Sequence, residues 1–227
     1  MTAAPITDTA LLDALKGVID PNTGRDFVSA KQIRQIQIDG GNVAFEVELG
    51  YPAKSQVAAL RSALVAAARR LPGVANVSVN VVSKIVAHAV QRGVQLMPTV
   101  KNIIAVASGK GGVGKSTTAA NLALALAAEG ASVGILDADI YGPSQPMMMG
   151  IEGRPESADG KTMEALENYG VQVMSIGFLI DADNPMIWRG PMVTQALEQL
   201  LRQTNWRELD YLIVEMPPGP GGMQLTL

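Results

Sequence analysis

Cysteine is missing from the 227 residues of this chain. That excludes a disulfide, a thiolate metal site and a catalytic thiol within them. Histidine occurs once, as His88, in the apolar stretch Ile85-Val-Ala-His-Ala-Val90. A lone imidazole there is expected to be structural or surface-facing rather than a metal ligand. Basic clusters are equally scarce: the net charge is −3, and the one adjacent basic pair, Arg69-Arg70, reads as a solvated helix end. Nucleic-acid or membrane-surface binding needs clustered lysine and arginine, so neither is expected. No apolar run approaches the ~20 residues that span a bilayer. The start, Met-Thr-Ala-Ala-Pro-Ile-Thr-Asp8, has no basic segment followed by a long apolar one, so the expectation is a cytoplasmic protein. What is present is apolar surface: 48% hydrophobic residues against 17% charged, enough for a buried core in one or two domains of ~100–200 residues.

One stretch carries most of the chemistry: Ile103-Ile-Ala-Val-Ala-Ser-Gly-Lys-Gly-Gly-Val-Gly-Lys-Ser-Thr-Thr118. Gly109, Gly114, Lys115 and Ser116 satisfy the phosphate-loop pattern G-x-x-x-x-G-K-[ST]. Ile103 to Ala107 read as a buried parallel strand before it. Ala119, Leu122, Ala123 and Leu126 recur at helical spacing after it. Backbone N–H groups of Gly109, Lys110, Gly111, Gly112, Val113, Gly114, Lys115, Ser116 and Thr117 are the expected cradle for a triphosphate at a helix N-terminus. Lys115 is expected on the β- and γ-phosphates of ATP, and the Ser116 hydroxyl on Mg²⁺.

Lys110 adds a second lysine at the start of the loop, too early to reach its own γ-phosphate easily. In this the segment resembles the deviant Walker A ATPases, the group that includes nitrogenase iron protein, MinD and ParA. The resemblance implies a face-to-face homodimer in which Lys110 crosses to the partner's phosphates and acts in catalysis. The plain alternative is an exposed lysine adding general positive charge.

Residues 1–83 read as a separate small domain. Leu11, Leu15 and Val18 share a helix face that Asp20-Pro21 ends. Ile36-x-Ile38, Gly40-Gly41-Asn42 and Val43-x-Phe45-x-Val47-x-Leu49 read as a hairpin. Pro52 opens a helix lined by Val57, Leu60, Leu64 and Ala68, and Val77-x-Val79-x-Val81 is a further strand. This α-β-β-α-β order predicts an α+β domain. Through Asp20-Pro21-x-Thr-Gly-Arg-Asp26, Leu49-Gly-Tyr-Pro52 and Leu71-Pro-Gly-Val74 it resembles the MIP18-like domain of iron–sulfur assembly proteins. A generic α+β adaptor is the alternative, and no catalytic constellation is visible in it. Residues 84–101 read as a linker, and 102–227 as the N-terminal part of a P-loop ATPase domain.

In that second domain Ser132 to Asp137 form a strand that runs into Asp137-Ala-Asp139-Ile-Tyr-Gly-Pro-Ser144. Carboxylates at the carboxyl ends of parallel strands lie near the phosphate loop in a doubly wound sheet. Asp139 is the candidate for orienting the attacking water and Asp137 for the outer shell of Mg²⁺. The ordinary reading, strand-end aspartates that cap turns, stands beside it. Val171 to Ile176 and Leu209 to Met216 are further strands, and Pro191 suits the first turn of a helix carrying Val193, Leu197, Leu200 and Leu201. The alternation predicts an α/β, doubly wound, mostly parallel sheet. Met147-Met-Met149 reads as packing rather than a soft metal site, Asp181 and Asp183 as loop residues, and Arg189 as an interface residue.

Asp137-Ala-Asp-Ile-Tyr-Gly-Pro-Ser144, Trp188-Arg-Gly-Pro-Met192 and Met216-Pro-Pro-Gly219…Gln224-Leu-Thr-Leu227 resemble the Mrp/ApbC/NBP35 branch of these ATPases. The resemblance implies an ATP-hydrolysing iron–sulfur cluster carrier that delivers clusters to apoproteins. Two departures stand out. The family's Asp-Met-Pro-Pro-Gly-Thr-Gly-Asp is here Glu215-Met-Pro-Pro-Gly-Pro220-Gly-Gly222. Glu215 keeps the charge expected on Mg²⁺ but adds a methylene, so weakened hydrolysis with retained nucleotide binding is expected. The family also carries a Cys-x-x-Cys pair further on, whereas Leu227 is reached without a cysteine. The expectation is therefore a fragment, or a truncated or decayed copy, with a long unpaired sheet edge and no cluster ligands of its own. Two competing readings are a nucleotide-gated binding module without a cluster and a MinD- or ParA-like positioning ATPase. The latter would need a membrane helix or a basic surface.

Overall fold

A computed structural model describes residues 5–88, 97–140, 142–179 and 190–219, without the side chains of residues 190–194. The chain divides into two compact units, 1–85 and 86–227. The fold is a parallel-dominated α/β sheet preceded by a small α+β unit.

The first unit runs α1 (Asp8–Leu15), β1 (Ile33–Asp39), β2 (Asn42–Leu49), α2 (Val57–Ala68) and β3 (Asn76–Ser83). Thr7 caps α1 through a hydrogen bond from the Ala10 N–H to its hydroxyl, a standard N-terminal device. The sheet order is β1-β2-β3, with β1 antiparallel and β3 parallel to β2. Alternate β2 residues Val43, Phe45, Val47 and Leu49 are buried with Leu11, Leu15, Phe27, Leu60 and Leu64, as period-two patterning demands. Both helices differ in extent from the sequence expectation. The first ends at Leu15, and Val18 follows it in a turn. The second starts at Val57 rather than at Pro52, which precedes a turn over residues 54–56.

Two segments singled out in the sequence meet in this unit. The fully buried Asp20 accepts hydrogen bonds from Tyr51 Oη (2.7 Å), the Asn22 N–H (2.9 Å) and Thr23 Oγ1 (2.9 Å). Burial first, and the Asp20 charge with it, push the Tyr51 phenol up to about 12 against the Asn22 hydrogen bond. The cluster is internally satisfied and pins the loop after α1 to the loop after β2.

The second unit runs β4 (Val100–Val106), α3 (Lys115–Ala128), β5 (Val133–Asp137), α4 (Gln145–Met148), β6 (Met163–Glu164), β7 (Leu166–Asn168), β8 (Val171–Ser175), α5 (Gly190–Gln203), β9 (Thr204–Asn205) and β10 (Leu209–Glu215). Strand β4 thus begins at Val100, inside the segment expected as a linker. Its five-stranded sheet has the order β4-β10-β5-β8-β7, parallel except for β7. Every residue of β5 and β8 is buried, the mark of strands covered on both faces. Strand β4 is not of that kind. It is an edge strand among the described residues, its burial alternates, and Ile103 is 51% exposed. The expectation of a buried strand at 103–107 is therefore corrected: the chain places its most buried strands further in. Of the three methionines expected to pack, Met149 is fully buried but Met147 is 82% exposed. His88 is exposed, its ring Nδ1 2.7 Å from Asn102 Oδ1. Among the described residues no helix is long and apolar enough to cross a membrane.

Topology sets the site. Strand β10 lies between β4 and β5 and is parallel to both, so the carboxyl ends of these three strands stand side by side, at the end of the sheet where α/β proteins bind ligands. Those ends lead to the glycine-rich loop, to Glu215 and to Asp137.

Candidate nucleotide site

The loop between β4 and α3 is shaped by backbone freedom more than by crowding. Gly112 and Gly114 have φ of +73° and +85°, left-handed values that disfavour any side chain. A Cβ at either would meet no protein atom within 4 Å. Gly114 is the N-cap of α3, and both the Thr118 N–H and Thr118 Oγ1 donate to its carbonyl at 2.9 Å. Ser108 Oγ donates to the Lys110 carbonyl (2.9 Å), and the Gly219 N–H donates to the Ser108 carbonyl (3.1 Å). The loop is thereby tied to the segment after β10. Gly109 through Gly114 are exposed, Lys110 included, and they lead into the positive end of a 14-residue helix.

Lys115 and Ser116, the first residues of α3, turn toward the neighbouring strand ends. Lys115 Nζ donates to Glu215 Oε1 (2.5 Å) and to Asp139 Oδ2 (3.0 Å). Ser116 Oγ also donates to Glu215 Oε1, in a very short contact. Burial works to lower the Lys115 ammonium. The hydrogen bonds and charges of Glu215 and Asp139 outweigh it and hold the group above its ordinary value. Glu215 is fully buried, and its second oxygen accepts from Gln145 Nε2 at 2.7 Å.

Asp137 is arranged differently. Its Oδ2 accepts from the Ser144 N–H (3.0 Å), the Gln145 N–H (3.1 Å) and Ser175 Oγ (3.1 Å), and its Oδ1 from the Asp139 N–H (3.1 Å). Burial first, and the Glu215 charge with it, raise its pKa to about 6 against these hydrogen bonds. The carboxylate anchors the turn that carries Asp139 and closes at α4. That is the ordinary role of a strand-end aspartate, and it leaves Asp137 engaged on the protein side.

The structure thus brings Lys115, Ser116, Asp139 and Glu215 into direct contact, with Asp137 behind them and Lys110 outside on the loop. Sequence reasoning missed two participants. Ser175, at the end of β8, and Gln145, which opens α4 and is fully buried, follow no periodic or motif signal of their own. Tyr141, Asp181, Asp183, Trp188, Arg189, Pro220, Gly222 and residues 224–227 lie outside the described residues. Among the described residues no group of three or more His, Cys, Asp or Glu side chains is arranged to hold a metal ion by itself.

Comparison with known proteins gives this arrangement its lineage. Residues 99–227 match the family described as the NUBPL iron-transfer P-loop NTPase, and residues 8–81 match one described as an iron–sulfur cluster assembly protein. The chain is 46% identical over 230 residues to an iron–sulfur cluster carrier protein of Synechocystis sp., covering 98% of this chain and 64% of that protein. It is 64% identical over 129 residues to the iron–sulfur cluster carrier protein of Escherichia coli K12, covering 56% and 35%. It is 58% identical over 130 residues to the mouse iron–sulfur cluster transfer protein NUBPL, covering 56% and 41%. The chain therefore spans between about one third and two thirds of the length of these relatives. With its phosphate loop, strand-end carboxylates and two matched segments in the order given, the chain belongs to the NUBPL iron-transfer P-loop NTPase family.

Proposed function

We propose that the second unit binds ATP with Mg²⁺ and hydrolyses it, as the nucleotide-operated part of a cytoplasmic iron–sulfur cluster carrier that serves apoproteins. The observation that carries this reading is the convergence of Lys115 and Ser116, at the start of α3, on the buried Glu215. Ser116 and Glu215 supply adjacent hard oxygens, the donor chemistry Mg²⁺ takes, and few protein ligands are needed when phosphates and water complete its shell. The donor set therefore fits the cation, with Ser116 and Glu215 as its holders and Asp137 behind as the anchor of the turn. Bound there, Mg²⁺ would neutralise charge on the β- and γ-phosphate oxygens.

The remaining roles belong to the chain. Amides of residues 109–117 hold the phosphates. Lys115 exchanges its carboxylate partners for phosphate oxygens, which frees Glu215 and Asp139. Asp139, 8% exposed and next to Lys115, orients the attacking water. Lys110, exposed on the loop, reaches the partner's phosphates in a homodimer. Because the extra methylene of Glu215 lets it seize both Lys115 and Ser116, that exchange is costly and turnover is slow. Phosphate release from ATP tests this: Lys115→Ala should abolish it, and Glu215→Asp should raise it about tenfold, equivalent to ~1.4 kcal/mol in the barrier. Unchanged rates in both variants would refute the assignment.

The iron–sulfur cluster is cargo in this reading, and no thiolate among the 227 residues can ligate it. That absence favours a second reading for these residues, a nucleotide-gated binding module with little turnover. Incubation with iron and sulfide should give no cluster absorbance under either reading, and only the phosphate-release measurement separates them.

A further inference from the structure

Gln145 is fully buried beside the phosphate loop, and one of its two polar atoms has no partner. Its Nε2 donates to the Ser116 carbonyl (3.1 Å) and to Glu215 Oε2 (2.7 Å). Both partners only accept, so the amide orientation is fixed by chemistry: the nitrogen faces them and Oε1 does not. Oε1 is buried and has no hydrogen-bond partner among the described residues. A buried acceptor left without a donor is destabilising.

The side chain is also held at its base. The Gln145 N–H donates to Asp137 Oδ2 (3.1 Å), and Asp137 itself is fixed by Ser175 and by the Ser144 N–H. Backbone and amide nitrogen are thus both pinned, and the orphaned oxygen belongs to the same amide whose nitrogen meets Ser116 and Glu215. The neighbouring donors, Lys115 Nζ and Ser116 Oγ, are both given to carboxylates. What this oxygen lacks is an O–H donor small enough to enter a polar, enclosed place, and a hydrated cation brings such donors with it. Mg²⁺ gives up its waters reluctantly and keeps several when bound. Partners of this outer kind change metal affinity by ~10–100-fold in other proteins.

We propose that Gln145 is a positioning residue for the cation: Oε1 accepts a hydrogen bond from a water in the Mg²⁺ hydration shell, while Nε2 keeps Glu215 aligned with Ser116. This rests on the ATP–Mg²⁺ reading above and assigns the cation dependence to a residue outside the phosphate-loop motif. Through its backbone N–H on Asp137, the same residue links the end of β5 to the start of α4.

The test is the affinity of a fluorescent ATP analogue, measured on the full chain with Mg²⁺ and again with EDTA. Gln145→Met keeps the shape and removes the amide. It should weaken binding about tenfold or more in Mg²⁺ and leave the EDTA value within about twofold. Gln145→Glu keeps an acceptor but replaces the Nε2 donor with an oxygen beside Glu215, a repulsion that a bound cation relieves. Mg²⁺ with the nucleotide should therefore raise its melting temperature at least as much as it raises that of the wild type, and raise that of Gln145→Met less. The melting readout stands even if one variant folds poorly at low temperature margins. Equal losses with and without Mg²⁺, or equal melting shifts in all three proteins, would overturn the proposal while leaving the ATP–Mg²⁺ reading intact. A wild type whose affinity is indifferent to Mg²⁺ would overturn both.

Discussion

Lys115 sits where one ammonium meets two buried carboxylates, Asp139 and Glu215, and the charge of Glu215 adds to burial in raising the proton affinity of Asp137. Removing one partner of such a buried pair leaves a charge uncompensated, at ~3–5 kcal/mol. Phosphate binding has to offer Lys115 at least as much. Asp137 provides a test at this scale. Its pKa is about 6 in the folded chain against an ordinary ~3.9, so the folded state holds the proton more tightly. The stability this group contributes is full below pH ~4 and is lost as pH rises to about 6. Asp137→Asn cannot titrate. In urea unfolding with a chelator present, the deficit of Asp137→Asn relative to wild type should shrink between pH 4.5 and pH 7, by on the order of 2 kcal/mol. A deficit that stays constant or grows would contradict the buried, charge-crowded setting described for Asp137.

Among the elements, those with a local signal were legible and those set by long-range pairing were not. The strand–loop–helix from β4 to α3 could be read because glycines with left-handed φ, a lysine and an apolar helix face are all sequential. The β1–β2 hairpin could be read because Gly40 and Gly41 interrupt two alternating runs. The edge position of β4 could not, since strand order in a parallel sheet depends on which crossover returns where. The short strands β6, β7 and β9, only two or three residues each, carry too few residues to show a period. Gln145 escaped notice because its importance comes from Ser116 and Glu215, 29 and 70 residues away in sequence. Even a legible turn hid its second reason. Gly41 accepts hydrogen bonds from the Ala75 N–H (2.8 Å) and the Asn76 N–H (3.1 Å). A Cβ there would lie 2.9 Å from the Gly73 carbonyl oxygen and 3.1 Å from Ala75 Cβ. Gly41→Ala should therefore destabilise the first unit by about 1–3 kcal/mol, read as a lower urea midpoint. An unchanged midpoint would show that the 73–75 turn gives way freely.

At the scale of the whole molecule, two units with separate cores share one chain, and each matches a segment tied by description to iron–sulfur chemistry. The first offers a buried cluster around Asp20, which accepts hydrogen bonds from Tyr51, Asn22 and Thr23. The second gathers most of its described buried polar residues, Lys115, Asp137, Asp139, Gln145, Ser175 and Glu215, at the carboxyl ends of its parallel strands, with Gln172 and Thr204 elsewhere. Proteins do not bury that many ionisable groups for stability alone, because each costs desolvation that pairing only partly returns. The concentration accords with the proposed ligand, a nucleotide that arrives with a cation. Titration calorimetry of ATP into the folded full chain, with Mg²⁺ present, addresses this most directly. Saturable binding that Lys115→Ala removes is the predicted result; a chain that keeps its circular dichroism and shows no affinity for ATP–Mg²⁺ would contradict it.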